Sequence, residues 1–438
     1  MTGTGATLLR GATILSMDPE IGNLAGGDVL IEAGRISEVA PAIEMGPDTG
    51  GVDVVDASGR IVIPGFVDTH RHMWEVLVRG GAPHHTLDQY YVDVLGHVGS
   101  AVTPDDVHLG TLASARSALQ AGITTVQDVA NVQLGPDHTD AAVAALRSSG
   151  IRAVFAYGKP FAMMVSEGTG LSDDVRRVRS ELLDDDTAAV TMALLTEWGG
   201  DDDERRNAAL ARDLDVPTAR HVGAQTPVSR LRDLGVLVAG TTFIHGNGLP
   251  HAELQIIADS GGTLSVAPAI EMMMGHGVPM VGRTPPGLAL SLSTSAEVTV
   301  AGDLFTQMRT ALQVGRTFGR GPHSDRELTA REVLALATRE GARALGLGDR
   351  TGTVTPGKDA DLVVLRADDL DVAPVLDPVS TVVQQMDRRH IEAVYRAGHP
   401  VVRGGAPVQD SRELVRGLQA AATRLGPVPR TASPPSGW

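Results

Sequence analysis

The sequence predicts an α/β chain centred on a (β/α)8 TIM barrel, and three observations carry that expectation. Eight short apolar segments recur between residues 61 and 292. Helical stretches separate most of them, and alternating strands and helices argue for a parallel sheet. Residues 6–63, and those beyond about 350, break this alternation and read as strands joined by turns.

The elements follow in order. Residues 6–16, 28–32 and 35–39 are the first apolar runs, and Ala33-Gly34 between the last two suits a hairpin turn. The eight barrel candidates are residues 61–67, 123–128, 153–157, 190–195, 216–221, 241–245, 263–267 and 288–292. Thr103-Pro104-Asp105-Asp106 opens a helix with a capping residue, a proline at the first position and acids at the positive end. Thr329, followed three residues later by Glu332, has capping-box spacing. The long segments after the first and seventh strands read as active-site loops. Beyond residue 350, residues 352–365 read as a turn and a buried strand, and residues 393–402 as a hairpin. Residues 427–438, rich in Pro, Ser and Thr, are expected to be disordered.

A chain of 438 residues, 42% hydrophobic, buries a large core and holds more than one domain. Its net charge of -16 argues against nucleic acid or an anionic membrane as partner, leaving a small molecule. Without cysteine there is neither a disulfide framework nor a thiolate nucleophile. No basic-then-apolar leader begins the sequence, and no run reaches the ~18 apolar residues of a membrane span, so a cytoplasmic protein is expected. The only lysines are Lys159 and Lys358, which leaves almost no candidate for a carboxylated, metal-bridging lysine.

Barrel sites form at the C-terminal strand ends. His70 and His72 stand there, one residue apart, after Pro64-Gly65-Phe66-Val67-Asp68-Thr69. Residues i and i+2 of a strand share a face, so the two imidazoles emerge together. His221 lies 149 residues beyond His72, about four strand–helix units, which places it on the fifth strand. His245, one unit on, falls on the sixth. Three neutral imidazoles suit zinc, iron or nickel and leave room for water. His84-His85 reads as a loop feature, and Met272–Met274 as core or pocket lining. Asp201-Asp202-Asp203-Glu204 reads as a solvated helix start. The glycine-rich stretches lack phosphate-cradle spacing.

The run from Pro64 to His72 resembles the first barrel strand of the amidohydrolase superfamily, in its deaminase and triazine-hydrolase branch. The resemblance spans roughly residues 6–405. It implies a small composite β-sandwich from both chain ends (1–63 and 351–408), a barrel over 64–350, and a C-terminal helix with a disordered tail over 409–438. It implies one divalent transition metal, zinc first and iron next, on His70, His72 and His221, with His245 stabilising developing negative charge. It also implies a homodimer. Two positions depart from the family. The fifth-strand motif His221-Val222-Gly223-Ala224-Gln225 has Ala224 where the family has a proton-carrying Glu; Gln225 beside it remains a catalytic candidate. On the eighth strand Ser295 aligns with the family's metal-binding Asp, anchored by the Gly302–Arg309 segment; Asp303 belongs to the following helix. Ser295 is then expected to orient a water. Glu271, His276 and Glu297 are the candidate replacements for the missing acids. Trp74, Glu271, His276 and Glu297 are expected to contact substrate. The implied activity is hydrolysis of a C–N bond in a small cyclic or heteroaromatic substrate. The two departures keep open a metal-independent isomerase, lyase or cyclase, or a binding protein without catalysis.

Overall fold

A computed structural model describes residues 5–45, 51–185, 188–319 and 327–431. Eight parallel strands follow one another in chain order: Phe66–Arg71, Ile123–Ala130, Arg152–Tyr157, Val190–Leu195, Thr218–Val222, Thr242–His245, Thr263–Val266 and Ala289–Leu292. A parallel bridge between Arg71 and Ser295 joins the last to the first and closes the barrel. The fold is a TIM barrel with an additional mixed sheet.

The first barrel strand corrects the expectation. The apolar run 61–67 is two strands, not one. Arg60–Pro64 pairs antiparallel with Leu362–Arg366 in the mixed sheet, whereas Phe66–Arg71 pairs with Ile123–Ala130 in the barrel. An unbroken apolar run cannot show which sheet each half joins. The crossing is at Gly65, where a Cβ would lie 2.1 Å from Thr124 Oγ1. Only glycine lets the chain pass there.

Nine strands from both ends of the chain form the mixed sheet. Thr7–Leu15 sits at its middle, pairing antiparallel with Asn23–Glu32 and parallel with both Asp53–Asp56 and Arg60–Pro64. Ile391–Arg396 and His399–Arg403 form the expected hairpin. Both hairpin turns, Ala33-Gly34 and Ala397-Gly398, have positive φ at both residues, which matches the strand twist. Val29, Ile31, Val62, Leu362 and Val364 pack in this sheet's own core.

Inside the barrel, Val129, Val154, Ala156, Ala193, Leu195, Ala219 and Ile244 form a buried set with Leu347, separate from the larger core. Val154 and Ala156, like Ala193 and Leu195, are two residues apart and share a face. This plug is the floor on which the strand-end residues stand.

The helix starts are as expected. Thr103 and Asp106 cap Pro104–Gln120 reciprocally, Thr329 and Glu332 cap Ala330–Leu336, and Asp303 caps Leu304–Phe318. No described helix is long and apolar enough to cross a membrane. After the helix Arg412–Leu425 the tail departs from the expected disorder. His85 Nε2 donates to Pro429 O at 2.7 Å, Gln89 Nε2 donates to Thr431 O at 2.8 Å, and Thr431 N donates to Asp93 Oδ2 at 3.1 Å. These bonds fix residues 427–431 against the loop after the first barrel strand. The rest of that expectation, 432–438, lies outside the described residues.

Candidate active site

His70, His72 and His221 converge over the barrel floor. Nε2 of His70 lies 3.2 Å from Nε2 of His72 and 3.3 Å from Nε2 of His221. The three form a group that could hold a metal ion. His221 follows Ala219 by two residues, so the strand's alternation turns both inward. His72 Nδ1 donates to Val129 O at 3.0 Å, and His221 Nδ1 donates to Glu197 Oε1 at 2.6 Å. Acceptor-only partners fix the proton on Nδ1 and leave the Nε2 lone pair facing the centre. Burial, with His221 next to it, lowers His72 to about 3, and burial with His72 and His221 holds His70 well below the ordinary range. Both are neutral at pH 7, as metal ligands must be. Lone pairs crowded at about 3.2 Å repel, and a cation among them turns that repulsion into attraction; the donor set fits a divalent ion.

His245 enters by a different device. Ile244 belongs to the barrel floor, so simple alternation would turn His245 outward. Its φ of 72° breaks the alternation and swings the ring over the site, 5.2 Å from that of His70 between centroids. Strained backbone of this kind persists where the surroundings over-determine it. His245 Nδ1 donates to Glu271 Oε1 at 3.0 Å. Glu271 also accepts from Ala267 N at 2.7 Å and Asn247 Nδ2 at 3.1 Å. Burial raises Glu271 to about 7. His276 packs edge-on against His245, and burial with His245 lowers it to about 3.

Ser295 closes the ring of residues. It has a φ of 59°, donates its N–H to His70 O at 2.9 Å and accepts from His72 N at 2.8 Å. Beside the histidines lies a cavity of about 290 Å³. His72, His221, His245, His276 and Ser295 line it, with Glu197, Asn131 and an apolar wall of Leu87, Tyr91, Phe161 and Met274. Tyr91 and Phe161 stack at 5.7 Å.

Several expected site residues stand elsewhere. Gln225 is exposed and outside the lining, because a turn closed by Thr226 N to Gly223 O at 2.9 Å carries residues 224 and 225 away. Trp74 is buried in the main core with its indole N–H on Asn131 at 2.9 Å; only Asn131 reaches the cavity. Glu297 is drawn off by Arg71 and Arg79, whose charges outweigh burial and hold it below the ordinary range. Glu271 stands behind His245 rather than on the wall. His85 is buried beside Asp93, away from the histidines. Glu197 lines the cavity although no sequence motif marks it. It sits two residues past Leu195, so strand alternation alone placed it over the floor.

A profile of the amidohydrolase family matches residues 61–401. The chain belongs to the amidohydrolase family. As an amidohydrolase it is a hydrolase. It is 28% identical to a 5'-deoxyadenosine deaminase from Methanothermobacter thermautotrophicus, over 94% of this chain and 99% of that one. It is 24% identical to a 5-methylthioadenosine/S-adenosylhomocysteine deaminase from Syntrophobacter fumaroxidans, over 98% of each. Among solved structures it resembles an adenosine deaminase from Xanthomonas campestris with bound zinc (TM-score 0.83, 24% identity, covering 96% of this chain and 98% of that one). A mutant atrazine chlorohydrolase from Arthrobacter aurescens, complexed with zinc and atraton, has the same TM-score and identity, covering 95% and 99%. These likenesses are to the amidohydrolase fold.

Proposed function

We propose that this amidohydrolase removes an amino group from a ring carbon of a small, neutral or cationic heteroaromatic substrate. The observation that carries the proposal is the convergence of three Nε2 atoms, two of them on rings, His72 and His221, whose protons are committed to Nδ1 partners elsewhere. His70, His72 and His221 would hold one divalent cation, zinc first, which when bound supplies the Lewis acidity that lets water attack at neutral pH.

The chain's own groups do the rest. His245 holds its proton on Nδ1 toward Glu271 and offers the Nε2 lone pair to the cavity, so it accepts the proton of the attacking water. It does not begin as a donor to developing negative charge; it becomes one only after taking that proton. Glu271 stabilises the imidazolium until the proton passes to the leaving amine. Ser295 offers a hydroxyl at the cavity wall to orient the water. The aromatic faces of Tyr91, Phe161 and Trp198 suit a flat ring. Among the described residues no lysine or arginine lines the cavity, so a substrate carboxylate would lack a counter-charge. Of the relatives' chemistries, this favours a deoxyadenosine-like or N-alkylated substrate over one with an amino-acid tail.

The same reading treats residues 1–63 with 351–408 as one unit and 64–350 as the barrel, supported by the shared mixed sheet. It takes the protein as a homodimer on the family resemblance. The test is metal content by plasma mass spectrometry, with ammonia release from adenine nucleosides and alkylamine release from N-alkylated aminotriazines. About one equivalent of metal, and turnover abolished in His70→Ala, are expected. Metal-free protein that retains full turnover in His70→Ala would instead establish metal-independent acid/base chemistry.

A further inference from the structure

An ion held only by neutral imidazoles leaves two positive charges uncompensated, so the protein's nearest unpaired carboxylate decides how well the site holds it. Other acids around the centre are already engaged. Asp68 pairs with Arg71, Glu297 with Arg71 and Arg79, and Glu271 with His245. Glu197 differs. It is the one carboxylate on the cavity wall among the described residues, and its hydrogen-bond partner there is the neutral His221.

Among the described residues its contact is also the one anionic support any of the three histidines receives at Nδ1. His72 has a neutral carbonyl, and His70 Nδ1 is buried without a partner. Both ends of the Glu197–His221 bond are tied down. The indole N–H of Trp198, next to Glu197, donates to the carbonyl of His221 at 2.7 Å. Arg220, next to His221, stacks 5.0 Å over the Trp198 ring and binds Glu204 through both nitrogens at 3.1 and 2.6 Å. The fourth and fifth strand ends are thereby fixed to each other, and the bond needs no rearrangement when an ion arrives.

We propose that Glu197 is a positioning residue that supplies, through His221, the negative charge compensating the cation, the charge that Ser295 cannot provide on the eighth strand. The inference rests on the three-histidine metal reading. Glu197 fixes the Nδ1–H tautomer of His221, strengthens its Nε2 as a donor, and moves the compensating charge one bond outward from the ion.

The test is zinc(II) affinity by competition with a chelating dye, on the full chain stripped of metal. Parent, E197Q, E197D, S295D and the E197Q/S295D double variant are compared, and thermal melting of the metal-free forms checks folding. E197Q is expected to bind zinc about 10- to 100-fold more weakly than the parent, with E197D losing less because it keeps the charge. S295D is expected to restore E197Q towards parental affinity and to help E197Q more than the parent. Zinc affinity in E197Q within twofold of the parent overturns the inference and leaves the metal reading standing. If E197Q does not fold, E197A is measured in its place, and an affinity within twofold of the parent overturns the inference. A parent that binds no zinc removes both.

Discussion

The backbone N–H of His72 donates to the carbonyl of Ser295 at 2.8 Å, so the residue standing in the acid's place also holds the barrel shut. At Ser295 that closure uses main chain only. The Ser295 hydroxyl is therefore free for chemistry, and fold and activity separate at this position. Ser295→Ala is expected to change stability by less than about 1 kcal/mol, since it removes no backbone bond. The same change should lower kcat by more than tenfold. Denaturant titration and steady-state kinetics on one preparation check both. Loss of both together would mean that the side chain serves the fold.

The pairing of His245 with Glu271 predicts how the rate depends on pH. Burial holds Glu271 at about 7, and the proton acceptor at His245 works best with that carboxyl ionised. The rate should rise as pH increases through about 7. Glu271→Gln cannot ionise, so the limb near 7 should vanish and kcat/KM should fall about 10²-fold or more. A limb that survives in Glu271→Gln assigns it to another group.

Stability should follow pH in the opposite range. His276 titrates near 3 in the folded chain because it is buried beside His245, against 6.5 when unfolded. Between those values the unfolded chain binds the extra proton, so stability falls as pH drops from about 6.5 towards 3. His276→Gln removes this contribution. The metal-free variant should lose less stability than the metal-free parent between pH 7 and pH 4 by urea unfolding. Parallel profiles would show that His276 carries none of the dependence.

Much of this arrangement was legible in the residues. Seven barrel strands fell within about two residues of their apolar runs because buried parallel strands need such runs. The first did not, since residues 61–67 feed two sheets and the crossing at Gly65 is a close approach that no pattern displays. His70, His72 and His221 were readable from strand ends and spacing. Glu197 is equally readable by counting two on from Leu195, although a lone carboxylate carries no motif of its own. The inward turn of His245 was not, because its φ of 72° reverses the alternation. Trp74, Gln225 and Glu297 failed as pocket residues for one reason. The direction of a loop is set by partners far away in sequence, such as Asn131 for Trp74 or Arg71 for Glu297.

The bonds from His85, Gln89 and Asp93 to residues 429 and 431 reach across 338 to 344 positions of sequence. The loop they hold carries Leu87, Tyr90 and Tyr91, part of the wall of the catalytic mouth. On a ribosome, the eight barrel strands emerge long before residue 429, so a nascent chain can complete its barrel while that wall is still untethered. Substrate capture would then mature as a late event of synthesis, after the barrel itself has formed.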